Sequence, residues 1–215
     1  MKEVLKKYYL STFIWIGCLF LFQSLVGERN IPLWESIAIG LLIVIVLTLF
    51  IGSIYLFIDK KWSPKHKREM LDKSPFKDFY AIGFEQRDGI AIGIINGFQI
   101  LLKFHAYSST NETDIIEIDI LFNPKKNGRF LKWSEIEELH KKYKKEKFIW
   151  NRDSISRQWK FSMFPPKFDE VYSAIERGIQ LLKTEKLLPI TFKESEKMLA
   201  EFEQYLESEN SLKAL

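Results

Sequence analysis

The chain has 215 residues, with 32 Lys and Arg against 28 Asp and Glu, a net charge of +4 and a pI of about 8.9. This mild basicity falls short of the charge typical of nucleic-acid-binding proteins, and the single cysteine, Cys18, excludes an intrachain disulfide. Apolar residues are concentrated in the first 58 positions and the remainder is densely charged, which predicts two parts with different surroundings.

Residues 1–58 are predicted to form a transmembrane helical hairpin. Its spans cover about residues 8–27 and 34–58, and apart from Glu35 at the loop end they carry no charge. At about 1.5 Å rise per residue, each is long enough to cross a hydrocarbon core of about 30 Å. The connecting stretch is short and polar and contains Pro32, which predicts antiparallel neighbouring helices.

Three other interpretations of this N-terminal region are less favoured. A cleaved signal peptide would explain the basic start, but no small-x-small cleavage site follows and the apolar run is long. A lipoprotein signal ending at Cys18 is disfavoured because Trp15 stands where Leu is expected and an apolar stretch follows the cysteine. Core helices of a soluble protein are disfavoured by the length and uniform apolarity of the second run.

Basic residues flank both predicted spans on the side away from the loop, whereas the loop contains only Arg29. The positive-inside rule therefore places both termini in the cytoplasm, most simply at a bacterial inner membrane. Aromatic residues at the span ends are typical of interfacial anchors. The predicted membrane-interface residues are Tyr8, Tyr9, Trp34, Lys60, Lys61, Trp62, Lys65, Lys67 and Arg68.

One ridge of the second span carries small residues at intervals of four or eight, which allows close helix–helix approach. The favoured partner is the first span, which contributes Gly17, and the alternative is homodimerisation through the membrane. The predicted helix-packing residues are Gly17, Ser36, Gly40, Thr48 and Gly52.

Residues 59–73 are interpreted as a basic juxtamembrane linker in which Pro64 ends the helix. Residues 74–188 are predicted to form a cytoplasmic α+β domain, with one antiparallel sheet of about four or five strands packed by helices. Its first helix is expected to begin at Ser74 and Pro75, since this pair is typical of a helix start.

A β-hairpin is predicted at Asn96–Gly97, the strongest short hairpin signal. A further strand at 115–122 follows, and a helix with a capping box of Ser134 and Glu137 comes next. The remaining predicted elements are strands at 148–150 and 154–164, a helix at 169–188, and a C-terminal amphipathic helix and tail (189–215) that begins at Thr191 with Glu194 as its capping partner.

The polar face of the predicted sheet is the one place where chemistry-bearing residues gather. Alternation places Lys103 and His105 on the same side as Glu117 and Asp119. His105, Glu117 and Asp119 are weak candidates for a hydrolytic or metal site, because a histidine beside carboxylates can bind a metal or transfer protons. A solvated face with cross-strand ion pairs is favoured over that hypothesis. No nucleophile elbow, phosphate-binding loop, dinucleotide fingerprint or paired-cysteine pattern is present, so no cofactor or metal is predicted.

Charge along the domain is uneven, with nine Lys and Arg against four Glu in residues 123–147. A basic helix on a tethered domain could contact anionic lipid, while nucleic acid is an unfavoured partner. We therefore expect a membrane-anchored, non-catalytic interaction or regulatory module that binds a protein partner through the polar sheet face or the acidic tail. The alternative is a membrane-tethered enzyme that uses the polar face.

Overall fold

The computed structural model describes residues 5–26, 33–108, 111–126, 128–198 and 200–201. The chain divides into two compact units, which are considered separately. The first comprises Met1–His66 with Tyr107–Glu112, and the second comprises Lys67–Ala106 with Thr113–Leu215.

The first unit is helical. A π-helical segment, Leu5–Leu10, leads into an α-helix at Ser11–Val26, and a second α-helix occupies Leu33–Phe57. A long apolar helix, Ile37–Leu71, has a mean hydropathy of 2.9 over its most apolar window and is long enough to cross a membrane. Among the described residues it is the one helix that meets these criteria. The predicted loop at 27–32 lies outside the described residues, and the two-span hairpin stays a prediction.

Small residues of the Leu33–Phe57 helix lie against aromatic rings of the preceding helical segments. A Cβ placed on Gly40 would lie 1.6 Å from Phe20 Cζ, and one placed on Gly52 would lie 2.6 Å from Tyr9 Cδ1. The ridge between them is buried at Val44 and Thr48. Gly17 differs, because a Cβ there would have no heavy atom within 4 Å among the described residues. The ridge therefore makes a close intramolecular contact that does not involve Gly17.

Pro64 does not end the helix, contrary to the prediction from sequence. A π-helical turn, Ile58–Trp62, precedes it, and an α-helix continues over Ser63–Leu71. Within this turn the Ser63 N–H bonds to the Ile58 carbonyl five residues back. Proline lacks an N–H and crowds the carbonyl four residues before it. The wider turn directly ahead of the proline relaxes that crowding, so the helix passes through it.

The second unit is a mixed structure of helices and antiparallel strands, which confirms the predicted α+β class in its broad form. Its main sheet has six strands rather than four or five, in the order β1-β2-β3-β4-β8-β7, with every neighbouring pair antiparallel. A two-stranded ribbon, β5-β6, is separate. The strands are β1 (Glu85–Arg87), β2 (Ile90–Ile95), β3 (Phe98–His105), β4 (Asp114–Leu121), β5 (Lys125–Lys126), β6 (Arg129–Phe130), β7 (Ile149–Trp150) and β8 (Ser154–Phe161).

The β2–β3 hairpin turns at Asn96 and Gly97, as the sequence predicts. Both residues have positive φ, 51° and 87°, and Ile95 pairs with Phe98. A two-residue turn with both central residues in this region matches the twist of the strands it joins. This turn fixes the register, so that Ile100, Leu102 and Phe104 all face the core and are buried.

The core lies between the sheet and three helices, Phe76–Ala81, Trp133–Lys142 and Phe168–Thr184. The Phe168–Thr184 helix approaches the sheet closely at Gly178, where an added Cβ would lie 2.4 Å from Ile120 Cδ1. The buried side chains that meet there include Phe104, Phe122, Ile116, Ile118, Ile120, Phe148, Ile155, Ile175 and Ile179.

Two predicted helix starts are wrong. The helix predicted at Ser74 begins at Phe76 with Pro75 as its N-cap, and the Ser74 hydroxyl donates to the Asp78 carboxylate at 2.6 Å. The helix predicted from Ser134 has its N-cap two residues earlier, at Lys132, where the Glu135 carboxylate accepts the Lys132 backbone N–H at 2.8 Å. The predicted capping pair at the C-terminal helix is confirmed, since the Thr191 backbone N–H donates to Glu194 at 3.0 Å.

Candidate functional site: the polar sheet face

Strand register brings the predicted polar residues together on the side of the sheet opposite the core. Lys103 on β3 pairs with Glu117 on β4, which in turn pairs with Gln158 on β8. One step along the same face, Asp119 pairs with Ser156. The alternation of side chains predicts this grouping from β3 and β4, and the strand order places the polar face of β8 beside it.

Asp119 is a structural carboxylate. Its side chain is 9% exposed, and its two oxygens accept hydrogen bonds from Lys103 Nζ and from the Ser156 hydroxyl. Asn151 supports this arrangement by donating to the Ser156 hydroxyl at 2.7 Å. A buried carboxylate whose oxygens are already bonded in this way has little capacity left for a substrate or a metal.

Glu117 is more open and lies among three polar neighbours. Gln158 Nε2 donates to Glu117 Oε2, Lys103 Nζ lies 3.7 Å from Oε1, and His105 Nε2 lies 3.9 Å from Oε2. The last distance is too long for a hydrogen bond. His105 Nε2 is itself buried and has no hydrogen-bond partner among the described residues, so no hydrogen bond to Glu117 fixes the imidazole ring.

Lys103 is held in its charged form by this cluster. Burial works to lower its pKa, but the hydrogen bond and charge of Asp119, with the charge of Glu117, outweigh burial and raise the pKa above 10.5. Lys103 therefore places one positive charge between the two carboxylates at neutral pH. A cation already placed between them makes this pair a poor site for a second cation.

The weak candidate residues do not assemble into a metal centre. Among the residues that the structure describes, no group of three or more His, Cys, Asp or Glu side chains is arranged to hold a metal ion. The structure thus brings His105 and Glu117 near each other and directs Asp119 elsewhere, toward Lys103 and Ser156.

The C-terminal segment covers one end of this face, a contact that the sequence pattern does not reveal. Ile190 is buried in an apolar cluster with Leu101 of β3 and Leu121 of β4. The Phe192 backbone N–H donates to Gln99 Oε1 at 2.6 Å, and buried Ser195 donates to the Asp153 carboxylate. What stays open is a shallow depression of about 410 Å³, lined by Lys103, Glu117, Asp119, Ile149, Asn151, Asp153, Ser154, Ser156 and Gln158.

The predicted membrane-interface residues fall into two groups. Most are exposed, namely Trp34, Lys60, Lys61, Trp62, Lys65 and Arg68, whereas Lys67 and Tyr9 are half-buried and Tyr8 is buried. Trp62 also stacks on His66 at a ring-centroid distance of 4.7 Å and meets Tyr107 edge-on at 6.1 Å.

The buried Tyr8 bonds to Asp59, which is not among the interface residues predicted from the sequence. The Asp59 carboxylate accepts hydrogen bonds from the Tyr8 hydroxyl at 2.7 Å and from the Lys7 ammonium at 2.9 Å. These two partners precede Asp59 in the sequence by 51 and 52 positions. The position of Asp59 in the sequence is the signal that could have indicated this contact. Asp59 is the first charged residue after the second apolar run, and Lys7 is the last charged residue before the first apolar run.

Comparisons with protein-family models, with curated proteins and with solved structures return no match to this chain, so the role of the polar face is inferred from its geometry alone.

Proposed function

We propose that residues 8–27 and 34–58 form a two-span hairpin in a bacterial inner membrane, with both termini in the cytoplasm. The observation that carries this proposal is the exposure of the long apolar helix, because only 22% of its most apolar window is buried by protein. A core helix of a soluble protein would bury most of such a window. Exposed apolar side chains on both helical segments include Trp15, Phe22, Leu42, Val46, Phe50 and Phe57.

The charged residues support the same arrangement. Lys7 and Asp59 pair at the ends of the two apolar runs that are farthest from the loop, and the exposed Lys60, Lys61 and Lys65 follow directly. A continuous apolar band bounded by lysines and aromatic residues is typical of a membrane-spanning segment at the cytoplasmic surface.

We further propose that the second unit is a non-catalytic interaction module that binds a protein partner on the polar sheet face. The support is that the carboxylates of this face are already bonded, while its outer groups are accessible. Gln158 and Lys160 are exposed and His105 is half-exposed, and Gln158 lines the open polar depression. The acidic tail beyond Glu201, the other predicted partner surface, lies outside the described residues.

Photo-crosslinking in cells tests the interaction surface. A photoreactive amino acid at Gln158 is expected to give a protein adduct of defined mass. The same probe at Gln180, an exposed glutamine on the Phe168–Thr184 helix, is the matched control and should give none. Glu117→Lys, which reverses the charge beneath Gln158, should abolish the adduct.

Two results would contradict the interaction module. Equal adducts from Gln158 and Gln180 would remove the polar face as the binding surface. Loss of cellular function in His105→Ala with the Gln158 adduct intact would favour the enzyme alternative instead.

A further inference from the structure

The loop that follows β8 presents the most exposed large apolar side chains of the described chain. Met163 and Phe164 are each 83% exposed, and they stand between β8 and the sequence Pro165–Pro166. Removing two such neighbouring side chains from water is favourable, so a surface that covers them would bind more tightly. Two prolines limit the backbone freedom of the loop and so favour a fixed presentation of this pair.

Both side chains lie at one particular end of the sheet. Phe161, the last residue of β8, pairs with Asp114 at the start of β4, and His105 at the end of β3 pairs with Ile115. Ile90, which follows the turn at Gly89, pairs with Lys103 and belongs to the same end. The Met163–Phe164 loop therefore shares this end of the sheet with the β1–β2 turn.

The chain also enters the second unit at this end. A Cβ placed on Gly89 would lie 3.2 Å from the Lys67 side chain, and Lys67 is the first residue of the second unit. Lys67 belongs to the last stretch of the long apolar helix Ile37–Leu71. The exposed loop is thus on the edge of the unit where the chain arrives from its proposed membrane span.

The charged residues nearest to the apolar pair in the sequence are lysines, and the exposed Asp169 and Glu170 follow only in the first turn of the next helix. Lys160 and Lys167 flank the apolar pair on either side in the sequence, and both are exposed. An apolar tip bordered by lysines is the combination that inserts into the boundary between headgroups and acyl chains, because apolar burial and attraction to anionic lipid act together.

We propose that the Met163–Phe164 loop is a second membrane attachment, which inserts its two side chains into the interface of an anionic bilayer. This inference rests on the proposed membrane hairpin, since the hairpin brings the domain to the bilayer. With the loop inserted, the domain is attached to the membrane at a second point in addition to the long helix Ile37–Leu71.

Site-specific labelling of the full chain tests this inference. In a Cys18→Ser background, Met163→Cys is labelled with an environment-sensitive fluorophore and the protein is reconstituted into vesicles of phosphatidylethanolamine and phosphatidylglycerol. Ile94→Cys is the matched control, because Ile94 is 69% exposed and pairs with Gln99 at the opposite end of the sheet. We expect a blue shift and quenching by acyl-chain bromines at position 163 and neither at position 94. Lys160→Glu with Lys167→Glu should reduce both signals at 163.

The outcomes separate this inference from the proposed hairpin. If the protein resists alkaline carbonate extraction but the label at 163 reports water, the loop inference is wrong and the hairpin stands. If the protein is extracted by carbonate, the hairpin itself is wrong. Equal signals at 163 and 94 would also overturn membrane insertion of the loop.

Discussion

Asp119→Ala is expected to destabilise the second unit strongly, although the residue lies on the sheet face away from the core. The substitution removes the acceptor of two hydrogen bonds and leaves the Lys103 ammonium, with a side chain only 27% exposed, without its main partner. Hydrogen bonds to charged groups contribute about 1.5–3 kcal/mol, and breaking a buried ion pair costs about 3–5 kcal/mol. Because Lys103 is partly exposed and keeps Glu117 at 3.7 Å, we expect a loss of about 2–3 kcal/mol.

The assay is guanidinium unfolding of the full chain in mild detergent, followed by tryptophan fluorescence. Glu117→Gln is the control. Glu117 lies 3.7 Å from Lys103, and the glutamine keeps a side-chain oxygen that can accept from Gln158, so we expect a loss below about 1 kcal/mol. Replacing both partners, Lys103→Met with Asp119→Leu, should cost less than Asp119→Ala alone, since no charge is then left unpaired. Equal losses for Asp119→Ala and Glu117→Gln would refute the assignment of Asp119 as the structural carboxylate.

The pH dependence of the same pair has a defined sign. The folded-state pKa of Lys103 is raised above 10.5, so the ion pair contributes fully below about pH 10.5 and its contribution is lost as the pH rises through the folded value. Stability of the wild-type chain should therefore fall at alkaline pH more steeply than that of the Lys103→Met/Asp119→Leu variant. Parallel curves for the two proteins would contradict a raised pKa.

Three further predictions concern helix starts and packing. The hydrogen bonds from Arg129 and from the Lys132 backbone lower the pKa of Glu135 from 4.5 to about 2, so its stabilising contribution is present above about pH 4.5 and lost toward pH 2. Over that range the guanidinium midpoint should fall less in Glu135→Gln than in the wild-type chain. An identical fall in the two proteins would count against the pairing. Gly178→Leu should lower the free energy of unfolding by about 1–3 kcal/mol, because the larger side chain overpacks against the sheet. Gln180→Leu, on the exposed side of the same helix, should change it little. Equal effects of the two substitutions would contradict the close contact at Gly178. Asp59→Asn should lower the thermal midpoint in detergent by an amount equivalent to about 1 kcal/mol or less, because half-exposed Lys7 is screened by solvent. An unchanged midpoint would show that the Asp59 contacts do not stabilise the fold.

Sequence patterns predicted the faces of β3 and β4 because a strand's period of two is local and one side of this sheet is buried. Ile116, Ile118 and Ile120 are fully buried, whereas Lys103 and Glu117 lie together on the other side. The turn at Asn96–Gly97 was predictable for a similar reason, since its backbone preference resides in the two residues themselves.

The role of Asp119 could not be predicted, because it depends on a residue of a partner strand 37 positions away. On its own strand, Asp119 alternates with Glu117 in the same way as any pair of exposed carboxylates. Ser156 reaches Asp119 only because β8 lies beside β4, and this placement makes Asp119 more buried than Glu117. Covering of the sheet by the C-terminal segment likewise depends on contacts with Gln99 and Asp153 that no local pattern records.

The predicted start of the Trp133–Lys142 helix is wrong because the sequence offers two possible capping pairs there. A capping box at Ser134 and Glu137 fits the sequence, but Glu135 also reaches Arg129, which holds it at 2.7 Å and favours the earlier start. A proline ends a regular α-helix, and no local sequence signal indicates the π-helical turn that lets the helix continue through Pro64.

Topology mapping tests the central claim, the two-span hairpin with a cytoplasmic domain, most directly. Paired reporters that are active on only one side of the membrane would be fused after Arg68 and, in a separate fusion protein, after Arg29 in the predicted loop. The hairpin predicts cytoplasmic activity alone after Arg68 and periplasmic activity alone after Arg29. A periplasmic signal after Arg68, or the same side for both fusions, would contradict the proposed topology and with it the cytoplasmic location of the interaction module.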